Sequence, residues 1–137
     1  PFRERILKGA FDESLAQDDI VMLGHHDEKL NIGRVSAGTL KLSPDDYGLR
    51  VLNYPPDSPN GENIYVGVYR TDLKGMSFGF YVTEERWVEE NGVRIREVVK
   101  GILDEVSVVT WPAYPDSSIK VRSYRGDKRD KKGADLG

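Results

Sequence analysis

Between Met76 and Thr83 the chain alternates strictly. Met76, Phe78, Phe80 and Val82 form one series, and Ser77, Gly79, Tyr81 and Thr83 form the other. Successive side chains of a strand point to opposite faces, so the pattern predicts a strand with an apolar face in the core and a more polar face opposite. Gly79 has no side chain, which leaves room on the polar face for another backbone to lie against Ser77. A serine placed there either fills a tight spot in a sheet or presents a hydroxyl for chemistry.

Much of the chain consists of similar short pieces separated by turn signals. Pro1 to Lys8 is predicted as an edge strand. Asp12 is a candidate N-cap for a short helix reaching about Gln17. Ile20-Val21-Met22-Leu23 is apolar throughout, as a buried strand should be. Ile32 to Val35 and Thr39 to Leu42 are expected to pair around Ser36-Ala37-Gly38. The Ser43–Gly48 segment is a turn signal, and Leu49 to Tyr54 is a further strand. Pro55 to Asn63 is rich in Pro, Asn and Gly and predicts an exposed loop. Ile64 to Leu73 carries helical spacing, but Gly67 and the β-branched residues weigh against a helix. Glu84 to Asn91 is expected as a polar excursion around Trp87, with Asn91-Gly92 as a hairpin turn. Val93 to Val99 alternates apolar and charged residues like an edge or half-exposed strand. Ile102 to Thr110 is the last strong strand, ended by Trp111-Pro112. The expected fold is mainly β with short helices, closed or partly closed into a β-barrel, because so many strands would otherwise leave open edges. One domain is expected over residues 1–122, followed by a polar tail over 123–137 with little to bury and therefore disordered.

Composition narrows the chemistry. The chain has 137 residues, 38% of them hydrophobic and 31% charged, which suits one domain with a modest core. A formal net charge of -3 predicts no general attraction to nucleic acid or to anionic membranes. The densest cluster of basic residues lies in the tail among acids, which argues against an oligonucleotide-binding barrel. No apolar run is long enough to span a bilayer. Cysteine is absent, which removes disulfides, thiol nucleophiles and thiolate metal sites together.

Two other segments carry reactive side chains. The only histidines, His25 and His26, follow the apolar strand, where a strand backbone would send them to opposite faces. Adjacent histidines do not converge readily on one ion, and a zinc site here would need carboxylates, so no metal and no cofactor is expected. Glu105 lies among Val106, Val108 and Val109, where a carboxylate is costly unless something receives it. Its partner is either an arginine such as Arg94 or Arg96, or a histidine whose ring N–H it accepts, leaving the other ring nitrogen free to take a proton from Ser77.

The order of motifs resembles the prohead maturation proteases of tailed bacteriophages. The similarity begins at Gly9-Ala10-Phe11-Asp12-Glu13-Ser14-Leu15 and continues through His26-Asp27, Ile32-Gly33-Arg34 and Gly38-Thr39-Leu40. It then includes Gly75-Met76-Ser77-Phe78-Gly79-Phe80 and closes with Leu103–Thr110 and Pro112-Ala113-Tyr114-Pro115. The resemblance implies a β-barrel similar to the herpesvirus assembly proteases. It also implies a serine endopeptidase acting in the host cytoplasm, inside the immature prohead. The substrates would be the phage scaffold protein or the scaffolding segment of the major capsid protein, with self-association as a homodimer or higher oligomer left open. By the same resemblance Ser77 is the nucleophile, His26 the general base because histidine followed by aspartate is the family motif, and Glu105 the third member. The alternative is a module of the same fold that binds capsid or scaffold proteins without cutting them. The family usually has more strand-forming sequence ahead of Gly9-Ala10-Phe11 than the few residues here, so the expectation is either a fragment that lacks a barrel strand or a strand edge borrowed from a partner.

Overall fold

The computed structural model describes residues 2–45, 48–112 and 121. Their elements are, in order, β1 (Arg3–Ile6), α1 (Asp12–Gln17), β2 (Val21–Gly24), β3 (Asp27–Arg34), β4 (Leu40–Asp45), β5 (Gly48–Asn53), α2 (Pro59–Tyr69), β6 (Gly75–Glu90) and β7 (Val93–Val109). The fold is mainly β with short helices.

Strands β6 and β7 form one long hairpin of 16 and 17 residues, joined by Asn91 and Gly92 with φ of 52° and 77°. Two consecutive left-handed residues give the turn whose twist matches the flanking strands, and Asn-Gly adopts it at low cost. Along its other edge β7 pairs in parallel first with β1, at Ile95 to Val98, and then with β2, at Glu105 to Val108. Helix α1 lies in the crossover between those two parallel strands. Strand β3 adds to β2 in antiparallel fashion, and β4 pairs with β5 in a separate two-stranded sheet. Among the described residues these pairings form one five-stranded and one two-stranded sheet, and neither closes on itself as the expected barrel would.

Val93 to Val99 is therefore interior to the sheet, not an edge. It looked like an edge because of its charges, and those charges are matched across the strands. Glu97, 5% exposed, lies in register between Arg5 of β1 and Arg86 of β6 and is bonded to both, at 3.1 and 2.8 Å. The Glu84–Asn91 excursion is likewise regular strand. Arg96 bonds Glu85 across the hairpin, and Arg94 stacks over the Trp87 ring at 4.6 Å. Opposite charges placed across strands stabilise a sheet that hydrophobic patterning alone would not predict.

Four other expectations change. Helix α2 begins inside the expected Pro55–Asn63 loop, because Ser58 is an N-cap that accepts the Gly61 N–H and Pro59 takes the first helical turn. It then buries Ile64, Tyr65 and Val68. Helix α1 starts where expected, but its N-cap is Phe11, with no side-chain cap bond. Ser14 fastens it instead, accepting the Leu103 N–H at 2.8 Å and donating to Asp18 at 2.7 Å. The segments around Ser36-Ala37-Gly38 do turn, but β3 pairs with β2 and β4 with β5, so the chain changes sheet there. Ser43 and Pro44 lie within β4, and the polar tail from 123 lies outside the described residues.

One core unites the two sheets and α2. Met22, Ile32, Met76, Leu103, Val106 and Val108 from the larger sheet meet Leu40 and Val51 from the smaller one and Ile64, Tyr65 and Val68 from the helix. No described helix is long and apolar enough to cross a membrane. Met22 is fully buried in this cluster, so Met22→Ala should destabilise the fold by about 2–5 kcal/mol in chemical denaturation. Ser58→Ala, which removes only the α2 cap, should cost about 1 kcal/mol.

Candidate active site

The register of β6 on β7 decides which side chains share a face. Met76 pairs with Val108 and Phe78 with Val106, and all four contribute to the core. Ser77 pairs with Ser107 and Gly79 with Glu105, which puts these four on the opposite face. Immediately beyond, Phe80 pairs with Leu103, so β7 carries one extra residue, Asp104, against β6. This bulge reverses the phase of the strand. Leu103 returns to the core at 1% exposure although it stands two residues from Glu105.

His25 and His26 are not strand residues. They are the central pair of the two-residue turn between β2 and β3, flanked by the paired Gly24 and Asp27, and their φ angles are 53° and 57°. The expectation that they face opposite sides as strand neighbours is therefore replaced by a tight turn. Such backbone suits glycine or asparagine and costs a histidine on the order of 1–3 kcal/mol. The turn is held by β7: the His25 N–H donates to the Val108 carbonyl at 2.9 Å, and the His26 N–H donates to the Ser107 Oγ at 3.0 Å.

That anchoring places the imidazole of His26 on Glu105. Its Nδ1 is hydrogen-bonded to the Glu105 Oε1, and the Glu105 Oε2 accepts from the Ser107 hydroxyl at 2.6 Å. The His26 side chain is 44% exposed and that of Glu105 only 13%. Glu105 thus meets the histidine and neither arginine considered for it; Arg96 bonds Glu85 and Glu4, and Arg94 covers Trp87. A proton on Nδ1, directed at the carboxylate, leaves Nε2 as the basic nitrogen of the ring. Gly79 has a different use from the one expected. A Cβ there would overlap the Glu105 carboxylate, so the space is taken by the acid.

Ser77, itself 9% exposed, faces Ser107 directly across the hairpin. Opposed residues of an antiparallel pair have Cβ atoms roughly 4.5–5.5 Å apart, so Ser77 lies next to the group that also receives the His26 amide. Ser77 and His26 are not hydrogen-bonded to each other. The structure therefore joins His26 to Glu105 directly and brings Ser77 beside them through Ser107. Ser107 is the residue that reading the sequence passed over. Its signal was the two-residue spacing from Glu105, which gives both side chains the same face. Among the described residues no group of three or more histidine and acidic side chains is placed to hold a metal ion.

No curated protein and no solved structure matches the chain. The family model for the caudovirus prohead serine protease matches residues 1–132, almost the full length, and on that match the chain belongs to the prohead serine protease family of the tailed bacteriophages.

Proposed function

We propose that this chain is a serine endopeptidase in which Ser77 is the nucleophile, His26 the general base and Glu105 the acid that orients it. The observation that carries this reading is the hydrogen bond from His26 Nδ1 to Glu105, made on the same sheet face as Ser77. The Ser77 hydroxyl gives its proton to His26 Nε2 as its oxygen attacks a peptide carbonyl, and Glu105 stabilises the imidazolium that forms. The imidazolium then protonates the leaving amine, and water deacylates the enzyme by the same route. The missing Ser77–His26 bond belongs to the resting enzyme, since catalytic hydrogen bonds often tighten only when substrate arrives.

The substrates under this proposal are the scaffold protein or the scaffolding segment of the major capsid protein, cut inside the immature prohead. The fold under this proposal is a partly closed β-barrel of the herpesvirus assembly protease type, filled by the one core that the two sheets share. A capsid-assembly module that does not cut is the second reading. It is favoured only by the low exposure of Ser77 and its lack of a bond to His26.

Incubation with capsid and scaffold proteins, followed by mass spectrometry of the fragments, separates the two. Ser77→Ala should lower cleavage by about 10⁴-fold or more while the protein stays folded. His26→Ala should be equally severe and His25→Ala mild, because His25 contributes a backbone N–H to the site. Undiminished cleavage by Ser77→Ala would sink the assignment. Gly79→Ala should displace Glu105 from His26 and cut the rate by about 10- to 100-fold, the scale seen when a supporting partner is lost.

A further inference from the structure

We propose that Ser107 is a positioning residue of this site, a buried clamp that holds both the backbone and the ring of His26 by way of Glu105. The inference rests on the reading of His26 and Glu105 as base and acid, and it adds a residue that reading does not need. Ser107 is fully buried, at 0% exposure, and a buried hydroxyl must find partners within the protein. Both of its partners belong to the base and its acid. Its oxygen accepts the His26 N–H at 3.0 Å, and its proton goes to the Glu105 Oε2 at 2.6 Å.

The bonds close into a ring. The His26 amide is held by Ser107, Ser107 holds one oxygen of Glu105, and the other oxygen of Glu105 holds His26 Nδ1. With Oε2 engaged by Ser107, the carboxylate cannot turn about its own axis without breaking a bond. Oε1 therefore stays aimed at the imidazole, and the ring keeps its proton on Nδ1. The same hydroxyl also receives an amide from a turn residue held at a φ of 57°, where the backbone would otherwise relax. With its one proton directed at Glu105 and no exposed surface, Ser107 is no competitor to Ser77 as nucleophile, although the two serines face each other across the strands.

The test needs a readout that a merely structural serine would not move. The chain has two histidines, so the imidazole ¹⁵N shifts of His26 can be assigned by comparison with a His25→Asn variant. Measured in a Ser77→Ala background at a pH where the ring is neutral, they should show the proton on Nδ1. Adding Ser107→Ala should move them towards the average of the two tautomers. In the Ser77 enzyme, acting on a peptide that carries a cleavage site mapped with the unmodified protein, Ser107→Ala should lower kcat by about 10- to 100-fold and leave KM unchanged. Ser107→Thr, which keeps the hydroxyl, should recover most of that rate. Ser107→Cys keeps the volume but donates poorly, and it should behave as Ser107→Ala does; it carries both measurements if the alanine variant does not fold. A folded Ser107→Ala or Ser107→Cys protein with unchanged tautomer shifts, or with unchanged kcat, would overturn the proposal. If Ser77→Ala still cuts while the Ser107 variants shift the tautomer, the nucleophile assignment fails and the clamp stands.

Discussion

Strand β7 is bonded along both edges, and the rest of the molecule takes its positions from that strand. On one side its register with β6 brings Ser77 opposite Ser107 and Gly79 opposite Glu105. On the other, its parallel pairing with β2 delivers the His25-His26 turn to Val108 and Ser107. A slip of one residue in either pairing would exchange core and solvent faces and take the histidine away from the acid. The buried valines Val106 and Val108 oppose such a slip, because it would expose them. The hydrophobic core thus holds a polar arrangement on its far side in register.

Local costs are concentrated around this register. Two histidines occupy left-handed backbone, and a carboxylate is largely withdrawn from water. Each cost is met by a bond to β7 or to its side chains. The turn amides find Val108 and Ser107, and the carboxylate finds His26 and Ser107. The Asp104 bulge allows Glu105 to face outward while Leu103, two residues away, stays in the core. Ser14 of α1 bonds the Leu103 N–H, so the helix braces the bulge itself. Strain and irregularity gathered at one place are what a site with a demanding geometry requires.

Farther from the site, the hairpin is stabilised differently. Glu97 between Arg5 and Arg86, and Arg96 between Glu85 and Glu4, are paired charges in a region with few core residues. The Arg96–Glu85 bond, and a further bond that Arg5 donates to Glu90 at 2.8 Å, hold the carboxyls of Glu85 and Glu90 below the usual range. A carboxyl shifted that way supports the folded state above its ordinary pKa, and the support is lost as pH falls through the depressed value. The Arg5–Glu90 pair is exposed and screened by solvent, so it contributes register and specificity more than stability, whereas Glu97 is buried between its two arginines.

Wherever a preference is local, the sequence by itself determined the outcome. The alternation around Ser77, the apolar strand before His25, the short α1 and the Asn91-Gly92 turn all depend on residues near one another in the chain. The motifs from Gly9 to Pro115 carried the family likeness in the same way. What depends on residues far apart was decided only in three dimensions. The charged half of β7 became an interior strand because Arg5 and Arg86 arrive from other strands to meet Glu97. Partner choice for β3 and β4 followed from packing on a shared core, which also buries Ile64, Tyr65 and Val68 of the locally capped α2. Glu105 could have met an arginine or a histidine on sequence grounds; strand register chose His26. Ser107 gained its importance in the same way, since a buried hydroxyl takes its meaning from what surrounds it, and its partner His26 stands 81 residues away in the chain.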